Sequence, residues 1–173
     1  MSRVIDTVLP AFNFYVGFLE EGETLSLMDI GGLFIGGFSE VQGLDMAMSI
    51  ETVMEGGVND RVHRLPGRIE MANLTLTKGV GFTDDLWNWV EAWQKGEALR
   101  KSVFILLANS MKIPLKIWAA ERCLPVRYTG PSLNASQSAL AIEKLELAPE
   151  KLTLLLSTGD AIEGVTEAVG SVF

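Results

Sequence analysis

A chain of 173 residues, 48% hydrophobic and 21% charged, is long enough for one domain with a real core, and its composition excludes intrinsic disorder. The formal net charge is −8, and the 14 Lys and Arg residues are dispersed, which argues against a continuous basic track for nucleic acid. The mean hydropathy of +0.26 is high for a protein of this size. No apolar run approaches the roughly 18 residues of a spanning helix, so no membrane insertion of the monomer is expected, and the excess apolar surface points to burial between subunits.

Asp6, Pro10 and Asn13 interrupt the apolar start, so the N-terminus does not read as a signal peptide. Synthesis in the cytoplasm is the expectation. Phe12, Phe14, Val16 and Phe18 fall on one face at period two, which predicts a strand over 12–18 with one buried face. Residues 20–23 form a polar turn, and 25–35 a second strand or hairpin arm broken by Gly31 and Gly32.

Residues 46–54 alternate again. Met46, Met48, Ile50 and Met54 share one face, and Ala47, Ser49, Glu51 and Glu55 share the other, with Val53 as an exception. A polar segment over 55–68 follows, punctuated by Gly56, Gly57, Asn59, Pro66 and Gly67. Residues 69–78 resume as a strand, and the parity change near 72–74 suggests a bulge. The 46–54 and 69–78 strands are expected to pair as a long arm.

One helix is predicted over 84–95. Thr83 is its expected N-cap, Asp84 and Asp85 favour its first turn, Lys95 its last, and Gly96 ends it. Leu86, Trp89, Val90 and Trp93 form its apolar stripe, with Trp87 off the stripe. Strands are predicted at 102–108, 115–120, 139–147 and 151–156. Strands flank a single helix, so the fold class is α+β, mainly antiparallel β. Residues 1–156 form the domain and 157–173 a C-terminal extension, either a short helix or a tail.

The chain carries little visible chemistry. Cys123 is the only cysteine, which excludes an intrachain disulfide and a multi-cysteine zinc site and fits a reducing cytosol. His63 is the only histidine, so Cys123 with His63 is the only possible thiol–imidazole dyad, and no nucleophile motif surrounds either residue. The glycine pairs complete neither GxGxxG nor GxxxxGK[ST]. The carboxylates Glu51, Glu55, Glu70, Asp84, Asp85, Glu143 and Glu146 are expected to be mostly solvated. No catalytic residue, metal site or cofactor follows from these residues, and an enzyme is not expected. Arg61, Arg64 and Arg68 form a local basic cluster, read either as a solvated loop or as a docking arm.

Several segments, in order over about residues 12–156, resemble the contractile tail-tube protein family. They are Gly36-Gly37-Phe38-Ser39-Glu40-Val41-Gln42-Gly43-Leu44-Asp45, Glu55-Gly56-Gly57, Arg64-Leu65-Pro66-Gly67, Leu74-Thr75-Leu76-Thr77-Lys78-Gly79, the tryptophan-bearing helix, 125–135 and 141–147. The resemblance implies a structural subunit of the inner tube of a phage tail or contractile injection system. It implies a fold of two packed β-sheets with one flanking helix, and a homo-hexamer whose strands join into one multi-subunit β-barrel ring, with rings stacking into a tube. It also implies a surrounding sheath, baseplate and needle-tip partners, and cargo effector or DNA in the lumen. The particle is then assembled from cytoplasmic subunits, and its release outside the cell is open. An acidic surface fits a channel that nucleic acid or acidic cargo slides past. Within that picture Ser49, Glu51 and Glu70 are expected to face the lumen. Arg61, His63, Arg64 and Arg68 are expected at the ring–ring contact. Segments 20–32 and 157–173 depart from the family pattern, which keeps a baseplate-proximal tube initiator open as an alternative. A small-ligand β-barrel or a hydrolase is the alternative of another class.

Overall fold

The computed structural model of the chain describes residues 11–20, 34–35, 37–57, 60–81, 84–109, 114–136 and 138–156. In chain order the elements are β1 (Phe14–Glu20), β2 (Phe34–Ile35), β3 (Phe38–Gln42), β4 (Met46–Val53), β5 (His63–Met71), β6 (Leu74–Gly79), α1 (Asp85–Gln94), β7 (Lys101–Ala108), β8 (Pro114–Thr129), β9 (Ile142–Ala148) and β10 (Lys151–Leu156). The described residues are α+β and mainly antiparallel β, as the sequence pattern predicts, with the two sheets and one helix that the family resemblance implies. Thr83 and the 157–173 extension lie outside the described residues, as do residues 25–33 of the predicted 25–35 strand.

The main strand order is β2-β1-β7-β8-β9-β6-β3, with β10 also paired to β8. The long β8 serves both layers. Residues 114–123 pair with β7 and β10, and 124–129 pair with β9. Just past the last β10-paired residue, Glu121, Arg122 has φ 50, a left-handed conformation that is unusual for a residue with a Cβ. The sequence pattern ends this strand near Ala120. It runs on to Thr129 because each half finds a different partner.

Alternation sets the core between the layers. Val16, Val103, Ile105, Ala120 and Leu152 come from one sheet, and Leu74, Leu76, Leu145 and Leu147 from the other; all are buried. Leu74 pairs with Leu147 and Leu76 with Leu145 on the same face. Helix α1 closes the core with Leu86 and Trp89 buried and with Val90 and Trp93 packed alongside, the predicted stripe. The Trp89 indole N–H donates to the Leu99 carbonyl at 2.8 Å, so its polar edge is satisfied. The helix begins one residue later than expected, with Asp84 at the N-cap and no side-chain capping bond. It ends at Gly96 as expected. That residue has φ 85, and the bonds from Gly96 N–H to the Trp93 carbonyl and from Glu97 N–H to the Ala92 carbonyl form a Schellman motif.

Three expectations need correction. Strand β1 is buried on both faces, not one: Val16 and Leu19 are 0% and 5% exposed although they lie on opposite sides. Glu143 is not solvated. It is 8% exposed and accepts a hydrogen bond from the Tyr128 hydroxyl at 2.9 Å. Burial, followed by this bond to Glu143, pushes the Tyr128 phenol up to about 12. The parity change at 72–74 is not a bulge within one strand. There the chain leaves β5 and enters β6, which belongs to the main sheet.

Gly43 makes this crossing possible. It has φ 90, and a Cβ there would overlap the Asn73 carbonyl oxygen. Gly43→Ala therefore combines backbone strain with a clash against main chain. It is expected to destabilise the domain by about 2 kcal/mol or more, read as a lowered midpoint in urea unfolding.

Candidate functional site

The sequence-predicted site residues converge on one element. Strands β4 and β5 pair only with each other, and every residue of β4 is exposed. The pair is a two-stranded ribbon standing off the sandwich. Its second strand is His63–Met71, not 69–78, so the expected polar segment 55–68 is half turn and half strand. The sequence hides this because Pro66 and Gly67 look like breakers. Both are accommodated at a register shift between Met48 and Ile50, where Ser49 faces Arg68 and Gly67.

The register sorts the side chains. Met46 pairs with Met71, Met48 with Ile69, Ile50 with Pro66 and Thr52 with Arg64. These make an apolar face with Arg64 near its tip. Met46, Met48, Ile50 and Ile69 are each between 52% and 58% exposed, so the face is largely uncovered. The opposite face carries Ala47 opposite Glu70, Glu51 opposite Leu65 and Val53 opposite His63, with Arg68 at the shift.

The geometry thus brings Glu51 and Glu70 together with His63 and Arg68, and separates Arg64 onto the apolar side. Arg61 lies before β5, in the connection at the tip. Ser49 turns inward on the ribbon: its hydroxyl accepts from the Arg68 N–H at 2.8 Å and donates to the Arg68 carbonyl at 3.2 Å. His63 Nε2 lies 3.0 Å from Glu55 Oε2. Cys123 is far from this chemistry. It is fully buried in the core, and its thiol donates to the Ala120 carbonyl at 3.2 Å. Burial pushes the thiol up to about 12, so it is neither a nucleophile nor a partner for the exposed His63.

A groove of about 300 Å³ opens between the sheets, lined by Phe14, Val41, Leu44, Ile105, Leu107 and Trp118. Its polar rim is committed: Ser39 donates to the Thr77 carbonyl, and Glu40 accepts from Gln42 at 2.7 Å. Among the described residues no group of three or more His, Cys, Asp or Glu side chains is placed to hold a metal.

An uncovered apolar ribbon projecting from a satisfied sandwich is a surface built for association, not for catalysis. The model of the T4-like virus tail tube protein gp19 family matches residues 10–153. The chain belongs to this tail tube family. It is accordingly a structural, non-enzymatic protein, and the tail-tube resemblance read from the motifs holds. Three solved structures share the fold. A chain of the anti-feeding prophage baseplate is 21% identical with a TM-score of 0.73, covering 89% of this chain and 99% of that one. A chain of the extracellular contractile injection system PVC sheath–tube complex in the extended state is 23% identical with a TM-score of 0.72, covering 87% and 93%. A chain of the anti-feeding prophage tube-terminating cap is 22% identical with a TM-score of 0.74, covering 91% and 97%. Comparison with curated proteins returns no match.

The register shift supplies a test of the ribbon alone. A Cβ at Gly67 would overlap the Ser49 hydroxyl and lie 2.9 Å from the Ser49 carbonyl oxygen. Gly67→Val should distort the ribbon and leave the sandwich intact. Thermal unfolding should shift by only a few degrees, about 1 kcal/mol or less, while protease cleavage within the ribbon rises.

Proposed function

We propose that this tail tube family member polymerises into a hollow tube, with six subunits to a ring and rings stacked end on end. The observation that carries the reading is the exposed apolar face of the β4–β5 ribbon. A lone two-stranded ribbon is marginal in water, and one presenting Met46, Met48, Ile50 and Ile69 needs a neighbour to cover it. Joining ribbons from successive subunits into a closed barrel covers those residues and removes free strand edges.

In that assembly the apolar face lies on the wall and the opposite face, with Glu51 and Glu70, lines the lumen. Ser49 sits on the lumen face and locks the ribbon's register. The tip carries Arg61, His63 and Arg64 toward the adjacent ring, and Arg68 lies further down the same ribbon. The partners of the reading are a sheath around the tube, a baseplate and a needle tip, with cargo effector or DNA in the lumen. The subunit is made in the cytoplasm and assembled into a phage tail or an injection particle. A second reading, a baseplate-proximal tube initiator, is favoured by the structural match to a baseplate chain.

Wild-type protein should give rings or tubes by negative-stain microscopy. Met48→Glu with Ile50→Glu should give a folded monomer, because two charges cannot be buried in the wall at a cost of several kcal/mol each. A strictly monomeric wild type, or tubes unaffected by the double change, overturns the proposal. Arg61→Ala with Arg64→Ala should leave rings but abolish stacking, as counted by ring-to-tube ratio in micrographs. Normal tubes from this variant would remove the ring-contact role.

A further inference from the structure

The ribbon face and the groove between the sheets are both apolar and both uncovered. The ribbon face presents Met46, Met48, Ile50 and Ile69. The groove, about 300 Å³, opens where β3, the edge strand of its sheet, faces β1, β7 and β8. Its walls are fixed: Phe14, Val41, Leu44 and Trp118 are half-buried and pack against the main core, and Ile105 belongs to that core. The ribbon does not fill the groove of its own chain, because every residue of β4 is exposed. Each surface carries one charged residue, and the two are of opposite sign. On the ribbon face it is Arg64, paired with Thr52. At the groove it is Glu40, exposed on the rim. Among the described residues neither forms an ion pair; Glu40 accepts only from the neutral Gln42 and Thr77 side chains.

We propose, resting on the reading of the ribbon as the surface of association, that the groove of a second copy receives it, with the apolar face inward and Arg64 against Glu40 of that copy. The spacing agrees. Thr52, beside Arg64, lies four residues from Met48, and Glu40 lies four residues from Leu44; each interval is about 13 Å of extended chain. Arg64 on Glu40 therefore sets Met48 and its pair Ile69 at Leu44, with Ile50 over the groove between them. Methionine suits such a seat, because its unbranched side chain fills irregular apolar gaps. A small polar ligand finds little there. Such a site needs convergent polar groups, and Ser39 is spent on the Thr77 carbonyl. Ribbon and groove are different patches of one chain, so the contact is head-to-tail, the kind that closes into a ring or runs on as a filament. In the proposed tube the apolar face lies on the wall, and the groove is that stretch of wall. The ion pair sets register more than affinity, since exposed pairs are weak.

The test uses full-length chains co-expressed under two different affinity tags. Met48→Cys in one and Leu44→Cys in the other should form a disulfide between the two chains on mild oxidation, because that bond needs Cβ atoms about 4 Å apart. Native Cys123 is fully buried and stays silent. Each substituted chain expressed alone should give no dimer. Wild-type rings or tubes without the mixed disulfide overturn the groove assignment and leave the ribbon's role standing, whereas a monomeric wild type removes both. A disulfide dimer from Met48→Cys alone places ribbon against ribbon and also overturns the assignment. Charge reversal is a second measurement that needs no cysteine. Glu40→Arg or Arg64→Glu alone should cut the assembled fraction in sedimentation about fivefold, and the two together should restore it to within about twofold of wild type. The urea midpoint of the subunit should stay unchanged in all three, because both residues are exposed. Defects that add in the double variant, with no restoration, overturn the proposal.

Discussion

The fold depends on one strand serving two sheets. Strand β8 can do this only by bending where its partner changes from β10 to β9, and Arg122 takes the left-handed conformation at that bend. Around it Glu150 accepts from the Arg100 guanidinium at 2.7 Å and from Arg122 at 2.8 Å, while Arg100 also donates to the Arg122 carbonyl at 3.1 Å. These groups are partly solvated, so each pair contributes only about 0–1 kcal/mol. The burial that the bend permits matters more. Ala120 and Cys123, which flank it, both enter the core, and Leu147 and Leu152 reach the same core from the strands alongside. Each large apolar side chain so buried contributes about 1.5–3 kcal/mol. The ion pairs set the local geometry, and the hydrophobic core supplies the stability.

With the sandwich self-sufficient, the β4–β5 ribbon is free to be apolar where it meets nothing in its own subunit. Gly43 anchors its root by lying against the Asn73 carbonyl, and Ser49 holds its register through both polar groups of the Arg68 backbone. The ribbon is thus fixed at its base and midpoint by contacts that do not involve its apolar face. An association surface held in shape before its partner arrives loses less conformational entropy on assembly. The geometry divides the described residues into a buried body and a projecting arm with an exposed apolar face.

Much of this is legible in the sequence. Alternation locates β4, most of β7 and all of β10, and the i, i+3, i+4, i+7 stripe locates α1 with its Gly96 stop. Local rules fail where partners are non-local. Residues 63–68 look like a polar loop because Pro66 and Gly67 are poor strand residues, yet a ribbon edge tolerates both at a register shift. Residues 121–129 carry no strand signal of their own, because nothing local shows that β9 will pair with them. Glu143 looks solvated, because burial beside Tyr128 depends on which strands become neighbours. The candidate residues on the arm follow from their local order, but their sorting onto faces does not.

By itself the sequence determined that the chain is one mainly β domain with a single stripe-bearing helix, without a recognisable active site, and ordered like a tail-tube subunit. Those conclusions rest on periodicity, composition and motif order, which are properties of neighbours along the chain. Only the tertiary structure decided that β6 belongs to the body and not to the arm, that one long strand joins both layers, and that Arg64 stands on the opposite face from Glu51, Glu70 and Arg68. Those outcomes follow from register between distant strands, where a single extra residue transfers every following side chain to the other face.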